Sequence, residues 1–348
     1  MTEIPETLLG LLHHYSPSGN ESAAVDWLVQ RMASLQFDQS FVDEVGNTIG
    51  IKGIGQNQLV LLGHIDTVKG LIPVRLDGDN LFGRGSVDAK SSLSAFVDAV
   101  AAVSVLPDWQ VVVIGAVDEE GDSKGAKYIC DRYHPQMAII GEPSQWNRVT
   151  LGYKGSQPAM ITCRQSLTHS SKGGNANDVL LAAWQELLQR VKAFNQDKTM
   201  FEQIIPTVLS MSSTSDGFEV EGTLLVGTRL PLSISPQIWI KEWLEVLLGV
   251  EVKKLSDGIP AFQAEKNSPL IRGFLGAIRA AGGKPGFVTK SGTADINLVA
   301  PVWGCPAVTY GPGDSNLDHT PNEHLVLTDY EKATRVLVNV MKNLGVAT

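Results

Sequence analysis

The stretch Leu59-Val60-Leu61-Leu62-Gly63-His64-Ile65-Asp66-Thr67-Val68 most narrows what this chain can fold into. An apolar run of this length reads as a buried strand. It ends on a histidine and, two residues on, an aspartate. Strand side chains two apart leave the same face, so His64 and Asp66 can work as a pair. His64 can bind a metal through one ring nitrogen while Asp66 accepts a hydrogen bond from the other, fixing tautomer and orientation. A purely structural histidine fits the same local sequence, so the decision rests on whether the chain supplies further ligands.

Around that strand the pattern alternates. An amphipathic segment from Glu6 to Tyr15 precedes Ser18 and Glu21, whose spacing predicts a capping box and a helix to Leu35. Phe41 to Gly53 reads as a hairpin turning at Gly46-Asn47. Ala89 to Val103 predicts a closely packed helix, Gln110 to Val117 a buried strand, Ala126 to Arg132 a short helix and Met137 to Ile140 a third strand. Strands alternating with helices indicate an α/β layer with some parallel pairing. After Lys154 the order becomes strand (Gln157 to Thr168), helix (Asn175 to Phe194), two strands (Thr207 to Ser213, Phe218 to Arg229), helix (Pro236 to Leu248) and strand (Val250 to Leu255). That β-α-β-β-α-β order is the ferredoxin-like unit. Helix–strand alternation returns at Ser268, so the expected architecture is an α/β domain over 1–154 and 268–348 carrying an insert over 155–267.

At 348 residues the chain exceeds the usual single core, which supports two domains. A net charge of −9 argues against nucleic acid and anionic lipid as partners. No run approaches the roughly 18 apolar residues of a membrane span, and the acidic opening lacks a signal-peptide layout. Cys130, Cys163 and Cys305 show no paired spacing, so neither a disulfide framework nor a thiolate zinc site is expected, and the expected location is cytoplasmic.

Four other spots repeat the first. Gly83-Arg84-Gly85-Ser86-Val87-Asp88 puts Asp88 at a loop-to-helix junction; Val111 to Val117 ends in Asp118-Glu119-Glu120-Gly121; Ala138-Ile139-Ile140 ends in Gly141-Glu142-Pro143; and Val308-Thr309-Tyr310 leads to Asp318-His319-Thr320. Each has a plain alternative: Asp88 as a helix cap, Glu119 and Glu120 as a solvated pair, Glu142 as a turn residue, His319 as a surface residue. Ligands bind outside the carboxyl ends of strands in open α/β sheets, so these residues can converge on one rim. Two histidines and three carboxylates exceed one tetrahedral zinc but suit two ions sharing a bridging carboxylate. Two divalent ions against three carboxylates leave about one positive charge for a hydroxide to match. Adjacent carboxylates cannot both face the metals from a regular strand, so a bend is expected at Glu119-Glu120, permitted by Gly121. One glutamate can then be a ligand and its neighbour the general base.

These motifs, with His64-Ile65-Asp66, resemble the co-catalytic zinc aminoacylase and carboxypeptidase family that includes acetylornithine deacetylase and succinyl-diaminopimelate desuccinylase. The resemblance covers the whole chain and implies a zinc-exopeptidase-like catalytic domain with mixed sheet and helices, plus an inserted ferredoxin-like dimerisation or lid domain. It implies two Zn2+, replaceable by Co2+, with Asp88 bridging, His64 and Glu142 at one ion and Glu120 and His319 at the other. Glu119 would be the base and Asp66 the partner of His64. In Thr168-His169-Ser170-Ser171, His169 would donate to the oxyanion across a homodimer, although Lys172-Gly173-Gly174-Asn175-Ala176 stands where the family runs toward a proline. Arg229, and less specifically Lys290 and the backbone of Gly292, would hold a substrate carboxylate. Lys290-Ser291-Gly292-Thr293-Ala294-Asp295-Ile296-Asn297 and Tyr310 to His324 resemble the lysine-releasing branch, which frees lysine, and in some members ornithine, from an acetyl group or an acidic amino-group carrier protein. Such a carrier would need a basic patch, for which Lys154, Lys172, Arg229, Lys266, Arg272 and Lys290 are candidates. Acetylornithine deacetylase or another aminoacylase or dipeptidase remains an alternative within the family. Outside it stand a non-haem iron oxygenase, with Asp66 a direct ligand on a jelly-roll, and a non-catalytic dimeric binding protein.

Overall fold

The computed structural model describes residues 3–169 and 173–348, so Ser170, Ser171 and Lys172 lie outside it. The chain divides into two compact units: Met1–Leu151, Ala264–Val288 and Ala294–Thr348 form unit 1, and Gly152–Gln263 with Thr289–Thr293 forms unit 2. Lys290 and Gly292 therefore belong with the insert rather than with the catalytic part, as the sequence boundaries had them. The cause is local: the Lys154 amide donates to the Lys290 carbonyl (3.2 Å) and Arg229 Nη1 to Thr293 Oγ1 (3.2 Å).

Unit 1 opens with helices α1 (Glu6–His13) and α2 (Ser22–Ser34) and the hairpin β1 (Gln39–Val42) and β2 (Thr48–Lys52). The hairpin turn is tied by Asp43 Oδ1, which accepts the amides of Val45, Gly46 and Asn47. Strands β3 (Asn57–His64), β6 (Trp109–Ala116), β7 (Met137–Gly141) and β15 (Ala307–Thr309) run parallel in the order β6-β3-β7-β15. Antiparallel β2 extends one side of this sheet; β8 (Arg148–Tyr153) extends the other and is paired by β14 (Gly286–Lys290), while β13 (Phe262–Gln263), which pairs with Gly152 and Tyr153, falls in unit 2. A small antiparallel sheet, β16-β5-β4, joins His324–Val326, Asn80–Phe82 and Arg75–Asp77 in that order. Helices α3 (Lys90–Ala101), α4 (Lys124–Ile129), α7 (Pro269–Ala280), α8 (Ile296–Trp303) and α9 (Leu327–Asn343) complete the unit.

Register explains how α3 packs so closely. Gly63 pairs with both Gly115 and Gly141, so three parallel strands carry glycine in one row. A Cβ at Gly63 would meet Leu93 at 3.1 Å, and one at Gly141 would meet Phe96 at 2.8 Å. The missing side chains let a helix rich in Ala and Ser lie against the sheet just below the strand ends, with Leu93, Ala95, Phe96 and Val97 fully buried.

Unit 2 runs β9 (Gly155–Ser166), α5 (Ala176–Asn195), β10 (Ile205–Ser215), β11 (Glu219–Leu230), a turn α6 (Pro236–Ile238) and β12 (Glu251–Lys254), in the expected β-α-β-β-α-β order. Its sheet is antiparallel throughout, ordered β10-β11-β9-β12. Alternate residues of β9 and β11, among them Ala159, Ile161, Leu224 and Val226, bury against α5. The second helix departs from expectation. Only Pro236–Ile238 is α-helical, and Trp239–Leu244 continues as a π-helix in which Trp239 and Trp243 stack at 5.6 Å. Among the described residues no helix is long and apolar enough to cross a membrane.

Candidate metal centre

The four parallel strands end on one edge of the sheet of unit 1. His64 is the last residue of β3 and pairs with Ala116 of β6, while Gly141 of β7 pairs with Gly63, so Glu142 comes level with His64. Asp88 stands two residues before α3; the expected helix-cap alternative fails, because Ala89 is the N-cap residue and no side chain caps that helix. His319 follows β15 beyond a short 3-10 turn (Ser315–Leu317) and has φ +61°.

These side chains converge. His64 Nε2 lies 3.3 Å from Asp88 Oδ1 and 3.9 Å from Glu142 Oε1. His319 Nε2 lies 3.0 Å from Asp88 Oδ2 and 2.9 Å from Glu120 Oε1. Asp88 thus turns one oxygen to each histidine. Ligand atoms of His64, Glu119 and Glu142 lie within 4.8 Å of one another, as do those of Asp88, Glu120 and His319. Tetrahedral sites with metal–ligand bonds of about 2.0–2.2 Å have ligand atoms about 3.3 Å apart, so the donor set fits such ions. The histidine tautomer agrees: His64 Nδ1 donates to the Asp66 carbonyl (3.0 Å), which fixes the proton there and leaves Nε2 as a lone-pair donor.

Crowding sets the electrostatics. Desolvation pushes the Glu119 carboxyl well above its ordinary range, with Glu142, Asp295 and Glu120 adding to it against the pull of His64. Against its own desolvation, hydrogen bonds from His319 and His64 hold Asp88 well below the usual carboxylate range. The bond to Asp88 raises His319 to about 9, with Glu120 adding to it. Buried Asp295 is pushed up to about 7, first by desolvation. Such packed carboxylates and histidines are stable together when cations lie between them.

Two sequence expectations need correction. Ser18 and Glu21 form no capping box: Ser18 Oγ donates to Asp66 Oδ2 (2.6 Å), and Glu21 Oε1 accepts the Gly19 amide (2.7 Å). The Asp66 carboxylate stands beside His64, whose Nδ1 is 3.4 Å from Oδ1 and whose hydrogen bond, against burial, lowers its pKa, and it also accepts the amides of Glu119 and Glu120, each at 3.1 Å. The bend that lets both glutamates face inward is made at Asp118, with φ +65°, and not at Gly121. Gly121 instead leaves room, since a Cβ there would sit 2.3 Å from Asp118 Oδ1. The iron-oxygenase reading falls, because the sheet is a mixed α/β sheet rather than a jelly-roll.

His169, Arg229, Lys290, Gly292 and Lys154 belong to unit 2, whereas Lys266 and Arg272 belong to unit 1. His169 is exposed, following β9. Arg229, also exposed, is the penultimate residue of β11 and bonds to Thr293, and half-buried Lys290 has its ammonium 5.8 Å from the Tyr153 ring. Lys154 is unavailable to a basic patch: it is fully buried and its ammonium donates to the Gln203 carbonyl. Sequence reasoning missed the work of Ser18 and of Glu323, although both stand inside quoted motifs.

Comparison with known proteins follows the same line. Residues 60–343 match the family described as Peptidase family M20/M25/M40. The chain belongs to that family. It is 39% identical to a LysW-lysine hydrolase of Deinococcus radiodurans, covering 94% of this chain and 93% of that one. It is 30% identical to a LysW-lysine/LysW-ornithine hydrolase of Sulfurisphaera tokodaii, covering 98% and 96%. An M20 family metallo-carboxypeptidase from Sulfolobus solfataricus shares the fold with a TM-score of 0.75 at 16% identity, covering 99% of this chain and 100% of that one. The M20 protein described here is accordingly a hydrolase of amide bonds from a metal-dependent family.

Proposed function

We propose that this M20 hydrolase uses two zinc ions, replaceable by cobalt, to free lysine, and also ornithine, from an amino-protected form. The observation that carries the two-ion reading is Asp88, whose two oxygens face different histidines at 3.3 and 3.0 Å. In this reading Asp88 would serve both ions, with His64 and Glu142 holding one and Glu120 and His319 the other. When bound, the ions supply Lewis acidity and bring water within reach of deprotonation near neutral pH. Glu119 takes a proton from the attacking water and returns it to the departing amine, a task suited to a carboxyl of raised pKa. His169 donates to the developing oxyanion from the partner subunit of a homodimer, and Arg229, Lys290 and the Gly292 backbone hold the substrate carboxylate.

Support for the dimer comes from β10, an edge strand whose residues from Thr207 to Ser215 are exposed, including Leu209 at 59% and Met211 at 48%. A long exposed edge strand with unpaired backbone groups is a template for pairing with another chain. Free Cys130, Cys163 and Cys305 accord with a cytoplasmic enzyme. The names of the relatives favour a LysW-linked amino acid over an N-acetylated one. The test incubates the metal-loaded enzyme with LysW-linked lysine, LysW-linked ornithine, N2-acetyl-lysine and N2-acetyl-ornithine. LysW-lysine should turn over fastest; faster release of acetate from acetyl-ornithine would make the enzyme an acetylornithine deacetylase.

A further inference from the structure

Glu323 is a fully buried carboxylate outside the proposed ligand set. Its Oε1 accepts the backbone amides of Val87 (2.9 Å) and Asp88 (3.1 Å), and the Gly85 amide also bonds to the carboxylate. Its Oε2 accepts from Arg84 Nη1 at 2.8 Å, in an ion pair whose side chains are 7% and 1% exposed. Arg84 Nε in turn donates to the Gly70 carbonyl (2.8 Å). Glu323 stands four residues after His319, and its neighbour His324 pairs in register with Phe82. One side chain therefore ties the segment that carries His319 to the turn that carries Asp88.

A buried ion pair is a poor source of stability, since desolvating both charges offsets most of their attraction. Its value here is geometric. Asp88 is the residue whose misplacement would be felt at both ions, and its own amide and that of Val87 are the ones Glu323 holds. We propose that Glu323 is a positioning residue for the metal pair, fixing the Asp88 carboxylate by clamping the amides of Val87 and Asp88. The inference rests on the two-ion reading.

The test strips the protein of metal, then titrates Co2+ by calorimetry while following the visible cobalt spectrum. Wild type should take up two equivalents. Glu323→Leu should weaken the second by about 100-fold and alter the spectrum, whereas Glu323→Gln, which keeps a carbonyl for both amides, should stay within about tenfold of wild type. Tyr330→Phe, which loses buried bonds to Ser94 and Asp98 away from the ligands, should leave both equivalents unchanged. Wild-type cobalt binding by Glu323→Leu, equal weakening in Tyr330→Phe, or a Gln variant as weak as the Leu variant would each overturn the inference. If Glu323→Leu does not fold, Glu323→Asp serves: its shorter arm cannot reach the amides and Arg84 together, and unchanged cobalt binding overturns the proposal. Fewer than two equivalents in wild type overturns the two-ion reading itself; two in wild type with unaltered variants overturns the positioning role alone.

Discussion

Asp66 and Glu119 divide the work of one loop. Asp66 accepts two consecutive amides and so sets the backbone from which Glu119 and Glu120 project. Ser18 steadies Asp66 through a charge-assisted bond. Ser18→Ala should lower kcat by about tenfold with little change in KM, and Ser18→Thr should restore most of it. A parallel rise in KM would instead place the effect in substrate binding. Glu119→Ala should cut kcat by at least about 100-fold while metal analysis still finds two ions per chain; turnover near wild type would remove Glu119 as the base. At this scale the residues that gather at the site were readable from the sequence because His64, Glu120 and Glu142 stand at or just past the ends of buried strands. Ser18 was not, because a Ser-x-x-Glu spacing describes a helix cap as well as a donor to a distant carboxylate. Nor was the bend at Asp118, since an aspartate with positive φ carries no mark that a glycine three residues on does not carry more plainly.

Elements succeed or fail as predictions according to whether one interaction dominates them. The parallel strands were legible because burial on both faces leaves unbroken apolar runs, and β9 and β11 because alternation marks a half-buried sheet. The helix after Pro236 was overestimated, since the stacking of Trp239 on Trp243 accompanies a π-helical turn that hydrophobic spacing does not encode. Helix α1 shows a contact of the same hidden kind. Lys90, fully buried, donates to the carbonyls of Leu11 (2.9 Å) and His14 (2.7 Å), where the helix ends. Lys90→Met leaves both carbonyls without that donor and should destabilise unit 1 by about 1–3 kcal/mol, read as a lower urea midpoint. Strand β10 offers the converse case, a sheet edge with apolar side chains in water. Leu209→Lys with Met211→Lys should convert a dimer to a monomer in light scattering, and a persisting dimer would move the interface elsewhere.

For the whole molecule the open question is where the oxyanion donor comes from. The metal-centre residues belong to unit 1 and His169 to unit 2, so the reaction as proposed draws on both. A histidine supplied by the partner subunit predicts complementation. Glu119→Ala and His169→Ala chains should each be inactive as pure dimers. After mixing, dissociation and random reassociation, half of the dimers are mixed, and each holds one centre with an intact Glu119 and the partner subunit's His169. Recovered activity should approach about one quarter of the wild-type value at equal concentration. A histidine acting within its own chain predicts no recovery, because every centre then lacks one of the two groups. The Leu209→Lys/Met211→Lys monomer separates these cases a second way: it should bind two metals normally and yet be inactive under donation from the partner, and retain wild-type kcat under donation within the chain.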